Sequence, residues 1–246
     1  MAYTGEFAVF EDIIQEMALV YQHDNRPWMI GFSGGKDSTM LCCLVLQMLQ
    51  RLPAEKRNKT VYIVSSDTMV ENPLIKIYLS DMIDALKNAV EKDGLPMSCN
   101  IVRPDPSNTF WANVIGRGFP TPRLNGTFRW CTDRLKIAPM NAFVNERIKE
   151  SGEIIILLGV RKGESQTRLK TITAREIEGK LLNMHNDIPN AYVYNPITEI
   201  PNALVWEFLL KGDCKSPWGS DMKYLLSLYQ GENLGEEQSV LGEEDR

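Results

Sequence analysis

The segment Ser33-Gly-Gly-Lys-Asp-Ser38 has the clearest chemical meaning in this sequence. An apolar run ending at Phe32 precedes it, and a segment rich in helix formers follows it from Thr39 to Leu49. A glycine turn between a buried strand and a helix N-terminus presents free backbone N–H groups, and the helix dipole favours an anion there. The segment therefore predicts a loop that binds phosphate. The alternative is a glycine turn without a ligand.

Asp37 distinguishes this loop from the Walker A loop of ATPases that hydrolyse the γ-phosphate. The pattern G-x-x-x-x-G-K-[ST] cannot be written here, because an acid follows Lys36. Asp37 alone would repel a bound phosphate, whereas a bridging magnesium ion makes a carboxylate favourable at this position. We therefore expect Mg²⁺ at Asp37, and we do not expect hydrolysis of a γ-phosphate.

Positive charge is concentrated in one part of the sequence. The chain of 246 residues has a formal net charge of -5, but residues 231–246 alone carry six acids and one base. The rest of the chain is balanced, and residues 103–136 have a net charge of +4. A polyanion could dock on such a segment, although a solvated basic loop has the same composition.

The composition excludes several classes of protein. Hydrophobic residues make up 43% of the chain and charged residues 24%, which is typical of a globular protein and not of a disordered one. Five scattered cysteines without a CxxC pair argue against a disulfide framework. Apolar runs are too short for a membrane span, so we expect a cytoplasmic protein with no membrane partner.

Apolar periodicity predicts strands that alternate with helices. Continuous apolar runs are typical of strands buried on both faces, and the helices between them indicate a parallel sheet with right-handed crossovers. Ligands of such sheets bind beyond the carboxyl ends of the strands. The predicted strands are 28–32, 60–65, 98–102, 153–159 and 191–196; the predicted helices are 6–22, 39–49, 73–94, 139–148, 202–210 and 221–229; and residues 103–130, with four prolines, are predicted to be irregular.

Three segments resemble proteins of a known family. SGGKDS after a strand resembles the PP-loop of the N-type ATP pyrophosphatases, which cleave ATP between the α- and β-phosphates. Leu158-Gly-Val-Arg-Lys-Gly-Glu-Ser165 with Arg168, and Phe128-Arg-Trp-Cys-Thr-Asp-Arg-Leu-Lys136, are similar to segments of the phosphoadenylyl-sulfate reductase branch of these proteins. The resemblance covers about residues 25–230 and is greatest to the sulfurtransferases of bacterial DNA phosphorothioation, of Dnd type or Ssp type.

This resemblance implies an α/β fold of the adenine nucleotide alpha-hydrolase-like kind. Its parallel sheet would have helices on both faces and a small C-terminal lobe. The implied division of the chain is an N-terminal helix (1–24), a PP-loop nucleotide-binding α/β domain (25–175), a C-terminal lobe (176–230) and an acidic tail (231–246).

The resemblance also implies roles for individual residues. Those with catalytic roles would be Ser33, Lys36, Asp37 and Cys131. Those in contact with ATP would be Ser33, Gly34, Gly35, Lys36, Asp37, Ser38, Ser66, Asp67, Thr68, Gly159 and Arg161, where a polar helix cap is the alternative for Ser66, Asp67 and Thr68. Those in contact with DNA or phosphate would be Arg123, Arg129, Arg134, Lys136 and Arg168.

Cys131 is the cysteine with the most chemical potential. Arg129, Arg134 and Lys136 surround it in sequence, and positive charge favours the reactive thiolate. A thiolate can accept sulfur or bind the iron of an iron-sulfur cluster. Because a cluster needs several thiolates and no cysteine follows Cys214, we expect such a cluster only in a longer chain.

The resemblance finally implies a reaction. The protein would convert ATP to AMP and pyrophosphate and so activate the DNA backbone for sulfur incorporation. Its cofactors would be ATP and Mg²⁺, and its partners would be DNA, a cysteine desulfurase as sulfur donor and other phosphorothioation proteins. Two alternatives stay open: a phosphoadenylyl or adenylyl sulfate reductase, and a non-catalytic nucleotide- or DNA-binding subunit of a modification-restriction complex.

Overall fold

The computed structural model describes residues 5–122, 130–164, 180–211, 218 and 222–235, without the side chains of Glu6, Glu164 and residues 231–235. Six strands form one sheet in the order β3-β2-β1-β4-β6-β5. All neighbouring pairs are parallel except β5 and β6, which pair antiparallel at one edge. The strands are β1 (Trp28–Gly31), β2 (Val61–Ser66), β3 (Met97–Val102), β4 (Ile154–Leu157), β5 (Asn183–Met184) and β6 (Ala191–Tyr194).

Helices cover both faces of this sheet, as predicted. One hydrophobic core joins α1, α2, α3, α6 and α7 to one face, and a smaller core joins α5 to the other. The helices are α1 (Ala8–His23), α2 (Lys36–Arg51), α3 (Pro73–Lys92), α4 (Trp130–Thr132), α5 (Ala138–Ser151), α6 (Asn202–Leu210) and α7 (Lys223–Gly235). None of these described helices combines the length and the apolar character that crossing a membrane requires.

The central helix α2 explains why the loop before it is firmly placed. Every side chain from Ser38 to Leu49 is buried, because α2 lies between the sheet and the outer helices α1 and α6. A helix that is apolar on all sides is stable only in such a position. The helix begins at Lys36, three residues earlier than the sequence predicted, so the second half of SGGKDS forms its first turn.

The helix predicted to start at Pro139 starts earlier. Residues from Trp130 are helical, and a π-helical turn, Asp133–Ile137, connects α4 to α5. A proline inside a helix leaves the carbonyl four residues before it without its usual partner. Here that carbonyl belongs to Leu135, and it accepts a hydrogen bond from Ser66 Oγ at 3.2 Å. The prediction was wrong because this partner lies 69 residues away in sequence.

The segment before this helix, predicted to be irregular, is described over residues 103–122, and there the prediction was only partly right, because residues 110–117 are helical. It contains a 3₁₀ turn, Pro106–Asn108, and a short π-helical turn, Ala112–Gly116.

The C-terminal part of the chain continues the same sheet and the same core. β6 pairs with β4 in parallel, and the side chains of Val205 and Phe208 in α6 belong to the larger core. α7 extends to Gly235, so the predicted tail from residue 231 begins as helix. The expected boundary between residues 175 and 176 lies outside the described residues, so the division into domains stays a prediction.

Candidate functional site

The loop of residues 33–38 leaves β1 at its carboxyl end and enters α2. Gly34 has a φ of +74°, a conformation that side chains other than hydrogen disfavour. Ser38 Oγ lies 3.0 Å from Ser33 Oγ and donates to the carbonyl of Gly35 at 3.0 Å. The N-cap residue of α2, Gly35, has no side chain that could cap the first turn, whose backbone N–H groups suit an anion. One of them, that of Lys36, is engaged by Tyr229 in this structure.

Tyr78 of α3 fixes the loop from the side. Its hydroxyl donates a hydrogen bond of 3.3 Å to the carbonyl of Gly34. Burial raises the pKa of Tyr78 well above its ordinary value, with the neighbouring Tyr229 and Tyr224 adding to the shift. The phenol therefore stays protonated and keeps donating across the physiological pH range.

Asp37 is held by a buried arginine. Arg161 is only 1% exposed, and its Nε donates to Asp37 Oδ1 at 2.5 Å. Its other nitrogens donate to the carbonyl of Ile200 at 3.2 Å and to Asn202 Oδ1 at 3.1 Å. The sequence suggested that Arg161 contacts phosphate, whereas these three protein acceptors engage its guanidinium here, so it positions Asp37.

The second carboxylate oxygen of Asp37 faces Lys36, whose Nζ lies 3.4 Å from Oδ2. Both carboxylate oxygens of Asp37 thus have cationic partners. To bind Mg²⁺, Asp37 would have to release its contact with Lys36 or with Arg161. Among the described residues, no group of three histidine, cysteine or acidic side chains is arranged to hold a metal ion. Since Mg²⁺ at a nucleotide is usually held by one or two carboxylates together with the phosphates, Asp37 stays the predicted ligand, and the described residues do not show the site by themselves.

Gly159 allows the backbone after β4 to pack directly against the backbone at the start of α2. A Cβ at this position would lie 3.0 Å from the carbonyl carbon and oxygen of Asp37 and from the nitrogen of Ser38. Contacts this short are rare for a Cβ, and the neighbouring backbone would have to shift by a few tenths of an ångström to accept one. The sequence suggested that Gly159 makes room for a nucleotide base; Gly159 does line the first cavity, while the side where a Cβ would point packs against the start of α2, so its contact with a base stays a prediction.

Tyr229 of α7 lies over the loop. Its hydroxyl oxygen accepts a hydrogen bond from the Lys36 backbone N–H at 3.3 Å, and its ring centroid lies 5.1 Å from Lys36 Nζ. The same oxygen would lie 3.1 Å from a Cβ at Gly35. The C-terminal helix therefore closes part of the loop in this structure.

Two cavities open beside the loop and share Gly31, Ser33 and Leu158 in their walls. The first has a volume of about 1020 Å³ and includes the loop and polar residues of the C-terminal strands. The second, of about 560 Å³, lies between the sheet and α5. Its wall is mostly apolar and includes Met29, Phe32, Ile75, Leu79, Met140, Val144 and Ile156. Both volumes are in the range of small-ligand sites.

Of the three polar residues expected near adenosine, Ser66 alone lines a cavity. Asp67 accepts from Met69 N at 2.9 Å and from Arg103 Nε at 3.0 Å. Burial acts to raise the pKa of Asp67, but these hydrogen bonds and the nearby cations outweigh it and lower the pKa. Thr68 is buried and donates to Glu71 at 2.9 Å. Asp67 and Thr68 therefore stabilise the turn after β2.

The structure describes two of the five residues expected to contact DNA; Arg123, Arg129 and Arg168 lie outside the described residues. Arg134 Nη1 donates to Asn108 Oδ1 at 3.0 Å. Lys136 is exposed, lines the second cavity, and lies 3.8 Å from a carboxylate oxygen of Glu71.

Cys131 is half buried in α4 and is not part of the wall of either cavity. Cys131 directly follows the segment predicted to be irregular, and the structure shows that it is helical. No three potential metal ligands of the described chain surround it, so it does not fit a local iron-sulfur site. By contrast, Cys42 is fully buried, and burial raises its pKa, as expected for an inert core cysteine.

Sequence reasoning missed several residues of the cavity walls. His185 and Asp187 line both cavities, and Glu71 lines the second. His185 Nδ1 accepts from the backbone N–H groups of Asp187 at 3.1 Å and Ile188 at 3.2 Å, which places the proton of the neutral ring on Nε2. Isolated histidines and tyrosines carry no local sequence signal, so only the fold reveals these positions.

The comparison with protein families agrees with this geometry. The phosphoadenosine phosphosulfate reductase domain matches residues 27–217, from the start of β1 to beyond α6. The chain belongs to this family. The loop of residues 33–38 is thus the PP-loop of a phosphoadenosine phosphosulfate reductase domain, and the sheet with its helices has the adenine nucleotide alpha-hydrolase-like fold that the sequence predicted.

Individual relatives are more distant. An uncharacterized protein of Methanocaldococcus jannaschii is 28% identical over 196 residues, which is 78% of this chain and 33% of that protein. The chain therefore spans about a third of the length of this curated relative. The phosphoadenylyl-sulfate reductase of Candida auris in a phosphate complex has a TM-score of 0.50 and 13% identity over 93% of this chain and 95% of that one, which supports the fold. The U34-tRNA thiolase NcsA of Methanococcus maripaludis, with its [4Fe-4S] cluster, has a TM-score of 0.46 and 15% identity over 93% of this chain and 75% of that one.

Proposed function

We propose that the protein binds ATP with its phosphates on the PP-loop and cleaves it between the α- and β-phosphates. The observation that carries this proposal is the glycine loop at the first turn of α2, with Gly34 and Gly35, next to a mostly apolar cavity of about 560 Å³. Backbone N–H groups suit phosphate, and an apolar cavity of that size suits adenine. Ser33 lies at the junction of the two cavities, where the two ends of a nucleotide would meet.

The charges around the loop support release of pyrophosphate. Lys36 is the cation of the loop, and the buried Arg161 keeps Asp37 fixed beside it. Fixed donors and charges stabilise a departing pyrophosphate without reorganising during the reaction. Cations contact both carboxylate oxygens of Asp37, so this side chain holds Lys36 and Arg161 in place. In this proposal the loop transfers AMP to an acceptor.

The acceptor in this proposal is a phosphate of the DNA backbone. A nonbridging oxygen of the phosphodiester attacks the α-phosphorus of ATP, and pyrophosphate leaves. The attached AMP makes that oxygen a leaving group, so the terminal sulfur of a cysteine persulfide can displace AMP and form a bond to the DNA phosphorus. A thiol reductant then cleaves the S–S bond and is itself oxidised to a disulfide, which leaves sulfur on the DNA and returns the carrier cysteine as a thiol. The basic composition of residues 103–136 supports a polyanionic acceptor.

Sulfur would come from a cysteine desulfurase, with other phosphorothioation proteins completing the system. Cys131 lies four residues before Leu135, whose carbonyl contacts Ser66 in the wall of the second cavity. It is thus near the proposed nucleotide site without being part of it, which suits a residue that receives sulfur after AMP transfer. The proposed role of Cys131 needs only its thiol and no iron-sulfur cluster.

Product analysis tests the proposal. Purified protein is incubated with ATP, Mg²⁺ and DNA, and the products are separated by ion-exchange chromatography. We expect AMP and pyrophosphate, and Ser33→Ala should reduce their formation by roughly 100-fold, because one positioned contact to the reacting phosphates is lost. ADP with orthophosphate would contradict the proposal, and absence of any turnover would favour a non-catalytic binding subunit.

The family match favours a second candidate, reduction of phosphoadenylyl or adenylyl sulfate. The same fold and loop would then hold the adenylyl part of that substrate. Incubation with phosphoadenylyl sulfate and a dithiol reductant distinguishes the two functions, since only a reductase releases sulfite. A parallel assay of DNA sulfur in cells completes the comparison: Cys131→Ser should abolish DNA sulfur while pyrophosphate formation from ATP persists.

A further inference from the structure

Arg117 and Arg134 are brought together by two asparagines. Arg117 Nη1 donates to Asn108 Oδ1 at 2.9 Å and to Asn113 Oδ1 at 3.0 Å. Arg134 Nη1 donates to the same two oxygens, at 3.0 and 3.3 Å. Two guanidinium groups that share the same acceptors lie close together, so their positive charges repel each other.

Within the described part of the chain, neither arginine forms an ion pair with a carboxylate. Two other cations of the same segment do: Arg103 lies 3.0 Å from Asp67, and Lys136 lies 3.8 Å from Glu71. The oxygens that hold Arg117 and Arg134 belong to neutral amides, which orient the guanidinium groups but do not neutralise them. Hydrogen bonds from Ser107 lower the pKa of Asp105, and the charge of Arg117 is near enough to help lower it, but Asp105 forms no ion pair with that arginine. An anion placed between the two guanidinium groups would supply the missing charge.

The pair is rigid enough to form a binding site. Asn113 is fully buried, and its Nδ2 donates to the backbone carbonyls of Asn108 and Thr109 at 2.9 Å each. The guanidinium of Arg134 lies 4.9 Å from the ring centroid of Phe119, which in turn contacts Trp130. Arg117 remains exposed to solvent. The arginines are thus held in place by the buried Asn113 on the protein side, and Arg117 is accessible on the solvent side.

The pair also lies close to the proposed nucleotide site. Arg134 immediately precedes Leu135, which binds Ser66 through its carbonyl, and Lys136, which lines the second cavity. Arg134 therefore belongs to the same π-helical turn that contributes Lys136 to the wall of that cavity. We propose that these two arginines bind one backbone phosphate of a nucleic acid strand and so align the strand with the nucleotide. This inference deepens the proposed function and relies on it for the nucleic acid substrate.

Binding of a short labelled DNA duplex, measured by fluorescence anisotropy over a range of salt concentrations, tests the inference. We expect Arg117→Gln to weaken binding by roughly 10-fold and to flatten the dependence of log affinity on log salt by at most about 0.9, the value for loss of the one shared phosphate contact. Arg134→Gln should do the same, and urea unfolding shows whether that variant still folds. Lys149→Gln is the matched control: it removes the same charge at the exposed far end of α5, and it should keep the wild-type affinity and slope.

An unchanged affinity and slope in Arg117→Gln would overturn the inference. So would a higher KM for ATP in this variant without loss of DNA affinity, because the arginines would then bind a phosphate of the nucleotide. The measurement is independent of turnover. If DNA binding depends on Arg117 but the protein releases no pyrophosphate, the proposed reaction is rejected and the phosphate site is kept. If the protein releases pyrophosphate but DNA binding does not depend on Arg117, only the phosphate site is rejected.

Discussion

The hydroxyl oxygen of Tyr229 accepts a hydrogen bond from the backbone N–H of Lys36, 193 residues earlier in the chain. That N–H belongs to the first turn of α2, where a bound phosphate would find its donors. The neutral hydroxyl oxygen of Tyr229 therefore occupies a position that suits an anionic phosphate oxygen. The residue must be displaced, or must share the donor, when phosphate binds.

Removing this oxygen should strengthen phosphate binding. In Tyr229→Phe the ring over Lys36 stays, but the backbone N–H of Lys36 loses the hydroxyl oxygen that accepts its hydrogen bond. Because an internal hydrogen bond stabilises by about 1 kcal/mol, we expect the Kd for pyrophosphate to fall about 5-fold by isothermal titration calorimetry. Tyr224→Phe, on the same helix, is the control and should leave the Kd unchanged. A weaker affinity in Tyr229→Phe would show that the hydroxyl assists the ligand.

The ion pair of Arg161 and Asp37 predicts a large effect on stability. Arg161→Met leaves the carboxylate of Asp37, whose side chain is 12% exposed, without its main partner. Loss of one partner of a buried pair costs about 3 to 5 kcal/mol, to be measured by urea unfolding. Lys162→Met, which breaks a solvent-exposed pair with Glu199, should cost no more than about 1 kcal/mol.

The double variant Asp37→Ala/Arg161→Met checks the cause. It removes the buried charge together with its partner, so it should lose less stability than the two single variants combined. Strict additivity would show that the two side chains act independently.

Gly159 should tolerate no side chain. Gly159→Ala places a methyl group 3.0 Å from backbone atoms of Asp37 and Ser38, which cannot move as a flexible side chain could. Overpacking of this kind costs about 1 to 3 kcal/mol and displaces the loop, so we expect ATP affinity to fall at least about 10-fold. A Cβ at Gly163 would meet nothing within 4 Å, so Gly163→Ala is the control. Equal ATP affinity in both variants would mean that the loop adapts.

The sequence predicted the PP-loop and the parallel strands because both depend on local patterns. SGGKDS follows a buried apolar run, and β1, β2 and β4 are apolar runs that a strand buried on both faces requires. The place of β6 beside β4 was not predictable in the same way. Its four residues indicate a strand, but strand order depends on contacts between distant segments.

The environment of Asp37 shows why the site was only partly predicted. The sequence identified Asp37 and Arg161 separately, as ligands of a metal and a phosphate. It could not show that they bind each other across 124 residues, or that Asn202 at the start of α6 orients the arginine. Tyr229 and His185 were missed for the same reason, since only the folded chain brings them to the loop.

A last prediction concerns acid stability at the opposite end of the sheet. Asp24 accepts from Arg26 Nε at 2.8 Å and from Lys59 Nζ at 3.1 Å. Burial acts to raise the pKa of Asp24, but these hydrogen bonds together outweigh it and lower the pKa. Its ionised form is thus stabilised by folding. That contribution is complete above the unfolded-state pKa, near 3.9, and is lost as the pH falls through the lower folded-state value.

Asp24→Asn should therefore lower the free energy of unfolding by about 2 kcal/mol at pH 7, the scale of hydrogen bonds to charged groups. The difference from wild type should shrink as the pH falls below about 4, where the wild-type carboxyl becomes neutral as well. Urea unfolding at a series of pH values measures both quantities. Asp81→Asn, at an exposed position of α3, should change stability by no more than about 0.5 kcal/mol at any pH. A difference for Asp24→Asn that stays constant down to acidic pH would show that packing of the side chain, and not its charge, provides the stability.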